Sequence, residues 1–162
     1  MQLYKTTDYA AIQHLSKEIW HDHYVPMVGQ AQVDYMLGRF YTPEALAQQA
    51  AEGQQFWLVK QDEIVCGYLG VTEREAGDYF LNKFYLSTHL QGKGLGEKVF
   101  DTLIFNYNDL KTIRLQVNIN NYKSINFYFK VGFKIEKRFV LDIGEGFMMD
   151  DFIMIKSNYL AP

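Results

Sequence analysis

The spacing of apolar residues changes character near residue 53, and that change restricts the chain to a sheet carrying helices. Before it, apolar side chains recur at helical intervals; after it they come in short blocks bounded by turn residues. "MQLYK" reads as a short first strand. Thr6, Thr7 and Asp8 offer N-cap side chains to a helix with Ile12, Leu15 and Ile19 on one face. The run "HDHYVPMVG", residues 21–29, is expected to break that helix at Pro26 and Gly29. A second helix is expected around Val33, Met36, Leu37 and Phe40. A third opens with Thr42 as cap, Pro43 at the first position and Glu44 in the positive first turn, and stops at Gly53.

The remainder predicts a hairpin from "FWLVK" and "IVCGYLGVT", a strand in "YFLNKFYL", a helix with Leu95, Val99 and Leu103 on one face, a strand in "TIRLQVNI" and a helix in "NYKSINFYFKVG". "FKIEKRFVLDI" and "FMMDDFIMIK" then close the chain as a long hairpin through "GEG". The order β-α-α-α-β-β-β-α-β-α-β-β is that of an α/β mixed sheet covered by helices. No repeat, linker or low-complexity segment interrupts it, so one domain over residues 1–162 is expected.

Composition narrows the function. A formal charge of -3 argues against a nucleic-acid binder. No window is apolar for the roughly 18 residues that a membrane span needs. The single Cys66 cannot form an internal disulfide, and the N-terminus shows no secretion signal, so a cytoplasmic protein is expected.

The densest chemical signal is "QGKGLG", residues 91–96, between a strand and a helix. It fails the G-x-x-x-x-G-K-[ST] phosphate loop, because Glu97, Lys98 and Val99 follow Gly96. It also fails the G-x-G-x-x-G dinucleotide pattern, which meets Glu97 where the third glycine belongs. What remains is a glycine turn feeding a helix N-terminus, where backbone N–H groups and the positive dipole end can hold a pyrophosphate.

Gln91, Gly94 and Gly96 match position by position the [QR]-x-x-[GA]-x-[GA] motif, which the segment resembles, of the GCN5-related N-acetyltransferases (GNAT). A second stretch, with Asn121, Ser124, Tyr128, Gly132 and Phe133, is similar to that family's downstream helix. The resemblance implies a mostly antiparallel sheet of six to seven strands with four to five helices, splayed between the strands at 79–86 and 112–118. It implies acetyl-CoA as acyl donor, with no metal. The loop residues Gln91, Gly92, Lys93, Gly94, Leu95 and Gly96 would take the pyrophosphate. The pantetheine arm would pair with the strand carrying Phe84 and Leu86, the N–H of Leu86 or Phe84 polarising the thioester carbonyl. Asn121 and Ser124 would support the cofactor, and Tyr128 would sit near the sulfur as acid. Paired dimers are frequent in similar proteins, so a homodimer is an expectation.

Many relatives carry a carboxylate base on the strand before the loop. Here Phe80, Asn82 and Phe84 share a face with Leu86 and none is acidic, while Lys83 and Tyr85 point the other way. Asp150 is the expected base, with Asp151, Glu73, His21 and His23 as other candidates. Trp20, His21, His23, Tyr24 and Asp151 are expected to line the acceptor site. The H-x-H spacing at 21 and 23 lacks a third ligand, so it predicts no metal centre. The expected activity is acetyl transfer to a primary amine, either a small molecule or a protein amine. The competing expectation is a non-catalytic acyl-CoA-binding sensor or regulatory module.

Overall fold

A computed structural model describes residues 1–87 and 94–157. Among these residues the elements are β1 Gln2–Thr6, α1 Tyr9–Val28, α2 Gln30–Phe40, α3 Pro43–Ala51, β2 Gln54–Gln61, β3 Ile64–Glu75, β4 Asp78–Leu86, α4 Leu95–Phe105, β5 Thr112–Asn118, α5 Tyr122–Lys130, β6 Lys134–Gly144 and β7 Phe147–Ser157. Their order is the one the sequence predicts. The strands form one sheet in the order β1-β2-β3-β4-β5-β7-β6. Registers are antiparallel for β1·β2, β2·β3, β5·β7 and β6·β7, and parallel for β4·β5. The β4·β5 register runs from Asp78↔Thr112 to Leu81↔Leu115 and ends there.

Local signals explain the boundaries. The Asp8 carboxylate accepts from Ala11 N–H at 2.9 Å to start α1, and the Thr42 hydroxyl accepts from Ala45 N–H to start α3. Asp62 and Glu63 (φ 49° and 68°), like Glu145 and Gly146 (φ 56° and 79°), make two-residue hairpin turns with both residues left-handed.

One boundary differs from expectation. Pro26 does not end α1; it lies inside the helix, which runs to Val28. Pro26 is exposed and in the last turn, so it removes only one backbone hydrogen bond. Trp20, Tyr24, Val25 and Val28 pack into or against the core and hold the turns around it. The stop is Gly29 (φ 84°), whose N–H reaches Val25 O at 3.0 Å while its own carbonyl receives Val33 N–H and begins α2.

The chain divides into two compact units, one of residues 1–72 and 83–108, the other of residues 73–82 and those from Asp109 on. The first buries Ile12, Leu15, Ile19, Val33, Leu37, Leu46, Phe56 and Leu58 as one cluster. In the second, β5 alternates strictly: Ile113, Leu115 and Val117 are buried, and Thr112, Arg114, Gln116 and Asn118 lie on the other face. Among the described residues no helix is long and apolar enough to cross a membrane.

Candidate functional site

In the first unit, Gly94, Leu95 and Gly96, three of the residues expected to bind the donor, stand where α4 begins. Gln91, Gly92 and Lys93 lie outside the described residues. Gly94 occupies the N-cap position with φ 74°, a left-handed backbone that glycine adopts without strain. A Cβ built there would meet nothing within 4 Å among the described residues, so Gly94 itself is open to an incoming group. Leu95 is buried and anchors the first turn, and Gly96 keeps that turn free of side-chain bulk. First-turn N–H groups have no intrahelical acceptor and carry the positive end of the helix dipole. This arrangement fits a pyrophosphate.

β4 supplies the second feature. Phe84 turns toward α4, its ring 6.4 Å from that of Phe100. Leu86 is buried, and β3 passes so closely at Gly67 that a Cβ there would lie 2.5 Å from Leu86 Cδ2. Ser87 N–H donates to Cys66 O at 2.8 Å, which fixes the end of the strand.

On the opposite face of β4 lies a cluster that the sequence did not disclose. Trp20 stacks at 4.6 Å on Tyr24, 5.0 Å from Tyr41 and 5.7 Å from Tyr85, and Tyr68 stands 5.1 Å from Tyr85. Burial pushes the phenols of Tyr41, Tyr68 and Tyr85 above their ordinary range. Lys83 enters the same region: its ammonium lies 5.1 Å from the Tyr41 ring centre and donates to Gln49 Oε1 at 2.6 Å. Desolvation lowers its pKa to about 8. Of the four expected acceptor-site residues on α1, Trp20 and Tyr24 belong to this cluster, and His23 stands 4.9 Å from Tyr24, edge to face. His21 turns away, with Nδ1 2.7 Å from Lys17 O and Nε2 close to Gln30 and Asp34.

The second unit holds the α5 residues and the aspartates. Asn121 is buried, and its side chain accepts from Ser124 N–H at 3.2 Å as the α5 N-cap, so both motif residues build the helix start. Tyr128 is buried two turns on, 5.5 Å from Phe133, whose N–H returns to Tyr128 O. Glu73 Oε1 accepts from Gly77 N–H at the β3–β4 turn.

Asp150 and Asp151 are neighbours in sequence with opposite surroundings. Asp150 receives a two-pronged contact from Arg138, Nε to Oδ1 at 2.7 Å, which holds its carboxyl below the usual range. Asp151 is 5 % exposed and accepts from Gln116 Nε2 at 2.9 Å. Burial pushes its pKa up, against the opposing effect of the Gln116 hydrogen bond. Gln116 was not foreseen, although the alternation of polar Arg114, Gln116 and Asn118 with apolar neighbours marks a polar strand face. On that face Arg114 donates to Asp78 at 2.7 Å and to Glu136 at 3.0 Å. Among the described residues no group of three His, Cys, Asp or Glu side chains is placed to hold a metal ion.

The sequence matches the model for the Acetyltransferase (GNAT) family over residues 13–133. It is 35% identical over 65 residues to the probable spermine N(1)-acetyltransferase of Bacillus subtilis subsp. natto (strain BEST195), a stretch covering 38% of this chain and 43% of that one. The chain thus matches less than half the length of that relative. Among solved structures, the PaiA N-acetyltransferase of Thermoplasma acidophilum in complex with coenzyme A superposes with TM-score 0.75 at 21% identity, over 98% of this chain and 100% of that chain. The ribosomal-protein-S18-alanine N-acetyltransferase of Escherichia coli gives TM-score 0.75 at 17% identity, over 99% and 96%. At such identities these two likenesses establish the fold.

Proposed function

Because this chain belongs to the Acetyltransferase (GNAT) family, we propose that it moves the acetyl group of acetyl-CoA to a primary amine by direct attack in a ternary complex. The observation that carries this reading is the open, left-handed Gly94 at the N-terminus of α4, a cradle suited to the donor's pyrophosphate. Gln91, Gly92 and Lys93 would complete it. The N–H groups of Phe84 and Leu86 would face the thioester arm and its carbonyl. Asn121 and Ser124 shape the start of α5, and Tyr128 is the group that would protonate the departing thiolate.

The acceptor we favour is a polyamine. The partial match to a spermine acetyltransferase supports a flexible cation with a primary amine at its end. Such an ammonium, with pKa near 10, is neutral in about one part per thousand at pH 7, a deficit of roughly 4 kcal/mol. A group that accepts its proton is therefore part of the reaction.

The test is acetyl-CoA consumption with spermine, spermidine, putrescine and an alanine-terminated peptide, run beside calorimetric titration with acetyl-CoA. Turnover with the polyamines is expected. Acetyl-CoA binding without turnover on any amine would replace the enzyme reading with that of a cofactor-binding sensor. Turnover on the peptide alone would move the acceptor to a protein N-terminus.

A further inference from the structure

We propose that Asp151, held by Gln116, is the base that takes the proton from the acceptor ammonium; this rests on the acetyltransferase reading above. Strand parity separates the two aspartates. Asp151 stands opposite Asn118 in the β5·β7 register, so it shares a face with Asn118, Gln116 and Arg114. Asp150, one residue away, is on the other face. Lys156 shares that other face and donates to Val131 O at the end of α5, which identifies it as the α5 side. Asp150 is thus on the side of the helix bearing Tyr128, and Asp151 on the side away from it.

Position along the strand is the second observation. The β4·β5 ladder ends at Leu81↔Leu115, and Gln116 is the next residue of β5. The carboxylate of Asp151 is fastened there by Gln116 Nε2 at 2.9 Å. Base and acid then stand on opposite sides of the sheet, which suits an attacking nitrogen and a leaving sulfur on opposite sides of one carbon.

Chemistry separates the two aspartates as well. Asp150 is half-buried and neutralised by Arg138. The surroundings of Asp151 are Gln116 and Asn118 on β5, Phe139 opposite on β6, and the negative charge of Asp150 beside it. Arg114, farther along the same face, is engaged by Asp78 and Glu136, and burial of Asp151 favours its protonated form, so the carboxylate is a stronger base than a solvated one.

The protons balance. Asp151 takes one from R–NH3+, and the freed lone pair attacks the thioester carbon. As the C–S bond breaks, sulfur takes a proton from the Tyr128 phenol. The N–H proton lost from the nitrogen in forming the amide and the proton on Asp151 both pass to water, and water returns one proton to the phenol, so that one proton is released per turnover.

The test compares wild type, Asp151→Asn and Gln116→Leu in steady-state kinetics across pH, with acetyl-CoA affinity measured separately. Asp151→Asn should lower kcat/KM for the amine about 100-fold or more while acetyl-CoA binding stays within twofold. Gln116→Leu removes a hydrogen bond that favours the charged carboxylate, so the acidic limb of its kcat/KM profile should move to higher pH. Wild-type activity and pH profile in Asp151→Asn would overturn the assignment while leaving the acetyltransferase reading intact. An unmoved acidic limb in Gln116→Leu would do the same even if Asp151→Asn fails to fold. No turnover by wild type on any amine would instead remove the reading on which the assignment rests.

Discussion

Lys83 reaches from β4 to α3 and places its ammonium 2.6 Å from Gln49 Oε1, while Gln49 Nε2 donates to Phe40 O at the end of α2. A buried lysine, with one side-chain acceptor and aromatic rings around it, thereby links one strand to two helices.

That link sets a pH dependence of stability. The pKa of Lys83 is lowered from 10.5 to about 8, so between those values the unfolded chain binds the proton and the folded one does not. Stability therefore rises as pH climbs from about 8 toward 10.5, is flat below 8, and the full effect is about 3 kcal/mol. Lys83→Met should be more stable than wild type near pH 7, by less than that amount because Gln49 loses its donor. Urea unfolding at several pH values should show the gap between the two narrowing from pH 8 to 10.5. A gap independent of pH would mean that Lys83 titrates normally.

Gly94→Ala addresses the proposed donor cradle. The added methyl meets nothing within 4 Å, so its effect comes from the backbone at φ 74°. Holding alanine there costs about 1–2 kcal/mol, or else the turn relaxes and its N–H groups lose their aim. Acetyl-CoA affinity should fall at least tenfold with the far-UV spectrum unchanged. Unaltered affinity by calorimetry would detach the α4 start from donor binding.

Tyr128→Phe isolates the phenol, since the ring can keep its place against Phe127 and Phe133. Turnover should drop about 10- to 100-fold with acetyl-CoA binding nearly unchanged. Equal turnover in the two proteins would leave Tyr128 a packing residue only.

The sequence was most informative where the determinants are local. The caps at Asp8 and Thr42 and both hairpin turns are set by a few adjacent residues, and they stand where expected. It was least informative where distant segments decide. Pro26 carries the chemistry of a helix breaker, yet the packing of Trp20, Tyr24 and Val25 before it and Val28 after it overrides it. Asp150 and Asp151 are chemically identical until a register gives one to Arg138 and the other to Gln116. The cluster of Trp20, Tyr41, Tyr68, Tyr85 and Lys83 draws on α1, β3, β4 and the end of α2, and no single window contains its pattern.

Arg114, pinned between Asp78 on β4 and Glu136 on β6, has a use beyond the strength of its two ion pairs. A strand slipped by one residue turns every side chain to the wrong side of the sheet. A slip of β4 would carry Asp78 out of reach, and a slip of β6 would do the same to Glu136. One guanidinium thus proofreads the alignment of two separate strands, and a misaligned pairing of either one forfeits a charge contact.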